Sequence, residues 1–183
     1  SIENSAFQNC TSLTGSLTIP DSVTTIGDFT FYSCTSLTGS LTIGNSVTTI
    51  ESLAFYNCNG LTSLTIGNSV TSISEGAFLD CYSLTGSLTI PNSITSIGNS
   101  AFQNCASLTG SLTISNSVTS IGSYAFDYCS SITSVSILAT TAPTIGSFAF
   151  NNMISVSPAE IHVPVGATGY AASYDGLTVV YDL

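Results

Sequence analysis

Hydrophobic residues return at fixed intervals along almost the whole chain. A phenylalanine occurs every 23 or 24 residues, at Phe7, Phe31, Phe55, Phe78, Phe102, Phe126 and Phe150. A repeat of this length is typical of a stacked solenoid, in which each repeat forms one coil against its neighbours. The spacing therefore predicts a mainly β solenoid of seven coils with 23 or 24 residues each.

The coil at residues 84–107 shows which elements each repeat should form. Polar and apolar residues alternate from Ser87 to Ile90, which is the period of a strand with one buried face. A turn follows at residues 91–93, where proline and asparagine favour chain reversal. A second, shorter extended stretch ends at Ile97, so each coil is expected to contribute two strands.

A short helical turn is predicted after the second strand. Ala101, Phe102 and Cys105 have the spacing of one face of a helical turn, and the polar residues before them suit an N-cap. Equivalent cap positions in other coils hold Asp28, Glu75 and Ser123. These acids are therefore interpreted as caps and not as a catalytic site.

Most coils carry an additional glycine before the first strand, at Gly15, Gly39, Gly86 and Gly110. Two coils lack it and run directly from Leu61 and Ile132 into the strand. One extra residue in a strand is the signature of a β-bulge. We expect the bend or twist of the solenoid to change at the two coils without it.

The repeat divides the chain into a solenoid at residues 1–153 and a C-terminal cap at residues 154–183. Within the cap, the pattern predicts a strand at residues 161–163, a helical turn at residues 167–174 and a final strand at residues 177–181. At the other end, residues 1–7 match residues 96–102, so the first coil begins in mid-repeat. An open first coil favours self-association through its unpaired strand edges.

Charge excludes two classes of partner. The chain has no lysine or arginine and ten acidic residues, which gives a net charge of -10. Such a surface has no cation to neutralise phosphates, so neither nucleic acid nor an anionic membrane is expected as a partner. No apolar run approaches the roughly 18 residues of a membrane-spanning helix.

The cysteines have two interpretations. Each lies three residues after a phenylalanine, and Met153 takes the same place in the seventh coil. Exchange of cysteine for methionine favours small buried side chains, while disulfides between neighbouring coils remain the alternative. A zinc site is not expected, because no histidine lies near them in sequence. The six are Cys10, Cys34, Cys58, Cys81, Cys105 and Cys129.

The sequence gives little evidence for catalysis or metal binding by other residues. His162 is the single histidine and is predicted to be an exposed strand residue, and no coil carries a matched acidic pair. A column of aspartate and asparagine resembles calcium-binding repeats, but most members are neutral, which favours turns. The sequence therefore predicts no enzyme, cofactor or metal. That column is Asp21, Asn45, Asn68, Asn92 and Asn116.

Residues 61–81, Leu-Thr-Ser-Leu-Thr-Ile-Gly-Asn-Ser-Val-Thr-Ser-Ile-Ser-Glu-Gly-Ala-Phe-Leu-Asp-Cys, resemble the Treponema-type leucine-rich repeat of BspA-like bacterial surface proteins. The resemblance implies a right-handed leucine-rich-repeat solenoid, export to the cell surface or beyond, and adhesion to host or neighbouring cells. It implies no catalytic residues.

The candidate binding residues are the outward side chains of the first strand of each coil, here called the hydroxyl face. They are Ser16, Thr18, Ser40, Thr42, Ser63, Thr65, Ser87, Thr89, Ser111 and Thr113. We expect a protein or glycan partner to bind this face. The alternatives are a structural subunit that stacks end to end, and an ice-binding protein, because strand spacing and alternate-residue spacing would arrange the hydroxyls in a regular lattice.

Overall fold

The computed structural model describes residues 1–153 and 159–183. Each repeat contributes a long strand and a two-residue strand, as predicted. The long strands are β1 (Gly15–Ile19), β3 (Leu37–Ile43), β5 (Leu61–Thr65), β7 (Gly86–Ile90), β9 (Leu108–Ile114) and β11 (Ile132–Ile137). The short strands are β2 (Thr25–Ile26), β4 (Thr49–Ile50), β6 (Ser72–Ile73), β8 (Ser96–Ile97), β10 (Ser120–Ile121) and β12 (Thr144–Ile145).

Parallel pairing between successive coils builds the solenoid. The short strands form one continuous six-stranded sheet in the order β12-β10-β8-β6-β4-β2. The long strands lie on another side and form two sheets, one of β1-β3-β5 and one that starts at β7 and continues through β9 and β11 into the C-terminal strands. An aromatic turn, centred on the repeated phenylalanine, closes the third side of each coil.

The core is a stack of identical side chains. Leucines and isoleucines of both strands point inward, and phenylalanine rings of adjacent coils lie parallel with centroids 5.0 to 5.8 Å apart. Phe55, Phe78, Phe102 and Phe126 are completely buried. Because each ring contacts only the rings of the coils before and after it, the stability of a coil depends on its neighbours.

Two parts of the predicted architecture are wrong. The described residues form six complete coils with both strands, numbered from β1 onward, and the residues before β1 add only an aromatic turn and a bridge from Ile2 to Ile26. No helix occurs in residues 1–153 or 159–183. The segment at 167–174 contains an isolated bridge at Thr168 and β14 (Ser173–Tyr174) in place of a helical turn.

The aromatic turn is not helical because left-handed residues interrupt it. In the fourth turn, Ser100 and Asn104 have φ of 52° and 62°, on either side of Phe102. The backbone N–H groups of all three residues donate to the next coil, while those of Gln103 and Cys105 donate to carbonyls three residues back. A helix would need every residue to keep a right-handed φ, so the segment is a ladder of tight turns.

The missing glycine breaks the long-strand sheet at the third coil. Thr85 N–H donates to the Thr62 carbonyl at 2.9 Å, and after this contact no register pair joins β5 to β7. We call this opening between β5 and β7 the seam. Here a straight strand precedes a strand that bulges at Gly86, with φ of +81°. At the sixth coil, where a bulged strand precedes the straight one, β9 and β11 stay paired.

The seam opens on one side of the solenoid only. On the short-strand side, Ser72 and Ile73 still pair with Ser96 and Ile97. On the aromatic side, the rings of Phe78 and Phe102 remain 5.1 Å apart.

The C-terminal segment continues the sheet and then closes it. β13 (Glu160–Val163) pairs parallel with β11, β15 (Leu177–Tyr181) pairs with β13, and β14 pairs antiparallel with β15. The carboxylate of Asp175 accepts the N–H of Phe150 at 2.9 Å and so replaces the carbonyl of a further coil. The start of the predicted cap, residues 154–158, lies outside the described residues.

Candidate binding face

The hydroxyl face runs along the outside of the long strands. Thr18, Thr65 and Thr89 are exposed, and Thr42 and Thr113 are half-buried. Register pairs place Thr18 beside Thr42, and Thr42 beside Thr65. The threonines therefore form the continuous column that the alternating pattern predicts, within each of the two sheets.

The serines of this face stabilise the bulges. Where the extra glycine shifts the register, Ser16 Oγ accepts the N–H of Ser40 at 3.2 Å, and Ser87 Oγ accepts the N–H of Ser111 at 3.2 Å. The serine hydroxyl therefore accepts a hydrogen bond from the backbone N–H that the bulge displaces from the regular strand pairing. A serine suits this position because its short side chain reaches a neighbouring backbone group.

A second threonine column behaves differently. It lies just before the short strands, and each of its hydroxyls from Thr48 onward donates to the carbonyl of the equivalent threonine one coil earlier, at 3.1 to 3.2 Å. This column, the threonine ladder, is Thr24, Thr48, Thr71, Thr95 and Thr119. In contrast, within the described part of the chain no intramolecular hydrogen bond uses the hydroxyls of Thr18, Thr42, Thr65, Thr89 or Thr113. Those hydroxyls are available to a partner.

The seam adds apolar surface and strand edges to the hydroxyl face. Leu64 and Ile66 of the third coil are half-buried, whereas their counterparts Leu41 and Ile43 are buried. Strand edges at such an opening carry N–H and C=O groups without a neighbouring strand. The missing glycine predicted a changed bend or twist at this coil but not an opening in the sheet.

All six cysteines are free thiols in this structure. Five of them donate S–H to the backbone carbonyl of the phenylalanine one coil earlier, at 3.0 to 3.3 Å, as Cys58 does to Phe31. Burial raises the pKa of Cys58 and Cys129 to about 12 and that of Cys81 and Cys105 well above the ordinary value. These four thiols therefore remain protonated core groups.

The acidic and amide residues connect coils. Asp21 Oδ1 accepts the N–H of Asn45 at 2.6 Å, and Asn45 Oδ1 accepts that of Asn68 at 3.2 Å. Asp28 Oδ1 likewise accepts the N–H of Ser52 in the next coil at 3.1 Å, so it caps its neighbour and not its own turn. Across residues 1–153 and 159–183, no group of three acids, cysteines or histidines could hold a metal ion.

His162 is not the isolated strand residue that the sequence predicted. Its Nδ1 lies 2.9 Å from Asp182 Oδ2, and its Nε2 lies 3.9 Å from Glu160. The side chain is half-buried between the last strands. This arrangement connects the chain end to β13, and it places no nucleophile beside the imidazole.

One cluster of side chains on the aromatic turns was not predicted from the sequence. This tyrosine cluster consists of Phe29, Tyr32, Tyr56, Asp80 and Tyr82. Tyr32 and Tyr56 are stacked with ring centroids 4.6 Å apart, and Phe29 packs against Tyr32 at 5.8 Å. In the third turn the Tyr82 hydroxyl donates to Asp80 at 2.9 Å. Alignment of the coils would have found this cluster, because the position after the repeated phenylalanine holds Tyr32 and Tyr56 where other coils hold mostly polar residues.

Comparisons with known proteins identify the family. The family model described as BspA type leucine-rich repeat region matches residues 1–110 and 110–172 in 6 copies. The chain therefore belongs to this family of leucine-rich-repeat proteins, which confirms the resemblance seen at residues 61–81. No curated protein matches the chain.

Solved structures support the same fold. The leucine-rich repeat protein TpLRR of Treponema pallidum is 28% identical with a TM-score of 0.75, over 82% of this chain and 68% of that one. A leucine-rich repeat protein from Bacteroides ovatus is 26% identical with a TM-score of 0.66, over 92% of this chain. The match spans only 42% of that protein.

In the described part of this chain, no helix is long and apolar enough to cross a membrane.

Proposed function

We propose that this protein is an exported or cell-surface adhesion protein that binds a protein or glycan partner through the hydroxyl face. The observation that carries the proposal is the contrast between the two threonine columns. The threonine ladder uses its hydroxyls inside the protein, whereas the threonines of the hydroxyl face keep theirs free. A column of unpaired hydroxyls on a rigid sheet can bind a partner without losing internal hydrogen bonds.

The charge distribution supports the same function. The hydroxyl face is built from serine and threonine, and the chain offers no cation anywhere. Its short side chains have little conformational entropy to lose when a partner covers them. A partner that bound here would gain polar contacts and exclude water without having to neutralise charge.

The seam supplies a distinctive centre for this surface. Half-buried Leu64 and Ile66 pack against the core and are partly exposed where the sheet opens next to the polar hydroxyl face. Interfaces combine a small apolar centre with a polar rim. The threonines on either side, Thr65 and Thr89, are therefore the residues whose substitution should matter most.

A binding screen against matrix proteins, glycans and bacterial cells tests the proposal, with Thr65→Lys as the probe variant. The matched control is Thr71→Lys in the same coil, since Thr71 is equally exposed but belongs to the threonine ladder. We expect the lysine at position 65 to reduce binding at least about tenfold and the lysine at 71 to leave affinity unchanged. Equal effects of both variants, or no partner for the wild type, would contradict the adhesion function.

The two alternatives have weaker structural support. The bulges shift the register, and the seam divides the hydroxyl columns between two sheets, so an ice-binding lattice would be interrupted after the third coil. End-to-end stacking would need a free ladder at both ends, and Asp175 already occupies the N–H of Phe150. We therefore favour partner binding over both.

A further inference from the structure

The tyrosine cluster lies on the aromatic side of the solenoid, away from the hydroxyl face. Its apolar part is a platform of stacked rings, Phe29, Tyr32 and Tyr56, on the first two complete turns. Leu53 extends the platform toward the third turn, where a Cβ added at Gly76 would meet Leu53 Cδ2 at 2.6 Å. Glycine at this position therefore leaves room for the leucine to cover the turn.

A polar rim surrounds this platform. Asp80 Oδ1 accepts hydrogen bonds from the Tyr82 hydroxyl at 2.9 Å and from Asn104 Nδ2 at 2.7 Å. Asn57 Nδ2 donates to Ser33 Oγ at 3.3 Å, and Asn59 Nδ2 donates to Asn57 Oδ1 at 3.2 Å. The rim therefore presents one carboxylate together with amide and hydroxyl groups that donate and accept.

The phenols near Asp80 stay protonated. Partial burial, followed by the charge of Asp80, raises the pKa of Tyr56, and the hydrogen bond to Asp80 raises that of Tyr82. Each phenol therefore remains a hydrogen-bond donor at physiological pH. The cluster offers donors and acceptors side by side.

The cluster is a local departure from the repeat. Two further aromatic residues stack on the same side of the solenoid, Tyr124 and Phe148, with centroids 5.3 Å apart. Among the described residues, neither Tyr124 nor its neighbour Tyr128 has a side-chain hydrogen bond. Beside that pair the carboxylate of Asp127 is buried and accepts the side-chain amides of Gln103, Asn151 and Asn152, whereas Asp80 is half-buried. An accessible carboxylate beside stacked rings thus distinguishes the tyrosine cluster from the other aromatic pair.

The chemistry of the cluster matches an uncharged sugar. A pyranose ring has an apolar C–H face that packs on aromatic rings and a hydroxyl edge that exchanges hydrogen bonds with carboxylates and amides. A sialylated or sulfated glycan would meet a chain of net charge -10 with no lysine or arginine. The platform extends about 14 Å along three coils at about 4.8 Å each, and a patch of that length and similar width covers about 200 Å². This is far less than the roughly 800 Å² that one partner buries in a stable protein interface.

We infer that the tyrosine cluster is a binding site for uncharged glycans, in which Phe29 and the exposed edges of the stacked Tyr32 and Tyr56 pack against a sugar ring and Asp80 accepts hydrogen bonds from its hydroxyl groups. This site is separate from the hydroxyl face. The two are therefore distinguishable, because Thr65→Lys should not affect binding here.

The test is a glycan array of neutral hexose and N-acetylhexosamine oligosaccharides with sialylated and sulfated counterparts, followed by calorimetry on the best neutral ligand. Tyr56→Ala and Asp80→Asn should each weaken binding roughly tenfold or more. The matched control is Tyr124→Ala, since Tyr124 is also stacked and exposed but the carboxylate of its turn, Asp127, is buried. If Tyr56→Ala does not fold, Tyr82→Phe is used in its place, because it removes only the exposed hydroxyl and should also weaken binding.

Binding should also be insensitive to salt, because a neutral ligand involves no ion pair to screen. The inference would be wrong if the array showed no neutral ligand or a preference for anionic glycans, or if only a protein ligand were found. Equal losses of affinity in Tyr124→Ala and Asp80→Asn would also contradict it.

Discussion

At the scale of single residues, the repeated cysteine is explained by the backbone of its neighbour. The phenylalanine carbonyl accepts one hydrogen bond from an N–H within its own turn and a second from the thiol one coil later, as Phe55 does from Cys58 and Cys81. A cysteine is small enough for the core and still supplies this donor. The spacing predicted burial, but the partner of the thiol became apparent only from the stacking.

The first prediction concerns the pH dependence of stability. In the unfolded chain the thiols titrate near 9.0, whereas in the folded protein the pKa of Cys58 and Cys129 is about 12. Above pH 9 the unfolded chain therefore binds fewer protons, and stability falls as pH rises toward 12. The melting temperature should be constant with respect to these groups below about pH 8.5 and should decrease above pH 9.

The control for this prediction is Cys58→Ala with Cys129→Ala. The double variant should be less stable at neutral pH but should lose less stability between pH 9 and 12. Thiol labelling provides a second check, since the buried cysteines should react only after denaturation. A melting temperature that does not change across this pH range would contradict the assignment of protonated core thiols.

The two threonine columns give a second prediction at the residue scale. Thr95→Val removes a hydroxyl that donates to the Thr71 carbonyl at 3.2 Å, so it should lower the free energy of unfolding by about 1 kcal/mol. Thr89→Val in the same coil removes a hydroxyl without an internal partner and should change it by less than about 0.5 kcal/mol. Both residues are exposed, so urea denaturation of the two variants isolates the hydrogen bond.

At the scale of elements, the sequence determined the strands better than the turns between them. Inward Leu88 and Ile90 alternate with outward Ser87 and Thr89, and this period alone predicts β7. The aromatic turn was predicted as helical because the apolar spacing fits both a helical turn and a ladder of tight turns. The choice depends on left-handed residues such as Ser100, whose conformation is set by hydrogen bonds to the next coil and not by local sequence.

The seam leads to the prediction at this scale. Insertion of one glycine between Thr62 and Ser63 would give the third coil the bulge of its neighbours, so β5 and β7 should pair and merge the two sheets. In the wild type, hydrogen exchange averaged over residues 87–90 should be faster than over residues 111–114 of β9, which has strands on both sides. The insertion should slow exchange at 87–90 to the rate of β9.

A glycine inserted between Thr133 and Ser134 serves as the control, because β11 is already paired on both sides. It should not increase protection of its own strand. If the first insertion leaves exchange at residues 87–90 unchanged, the missing bulge is not the cause of the seam.

At the scale of the whole molecule, the sequence predicted the family and the solenoid but only part of the surface. The phenylalanine spacing fixes the stacking of coils, and the alternation fixes which threonines face outward. The tyrosine cluster was missed because its members come from separate coils, with Tyr56 brought beside Asp80 of the next coil only by stacking. The seam was missed because it depends on the order of straight and bulged coils.

The seam also has a genetic consequence. Near-identical repeats favour unequal recombination between gene copies, and the junctions between coils other than the seam use the same backbone pairing, so a coil can be gained or lost without new side-chain contacts. The order of coil lengths nevertheless matters, since an opening arises where a straight strand precedes a bulged one. Strains that differ in repeat number would then display different numbers of openings on the same face, and recombination alone could alter what the surface binds.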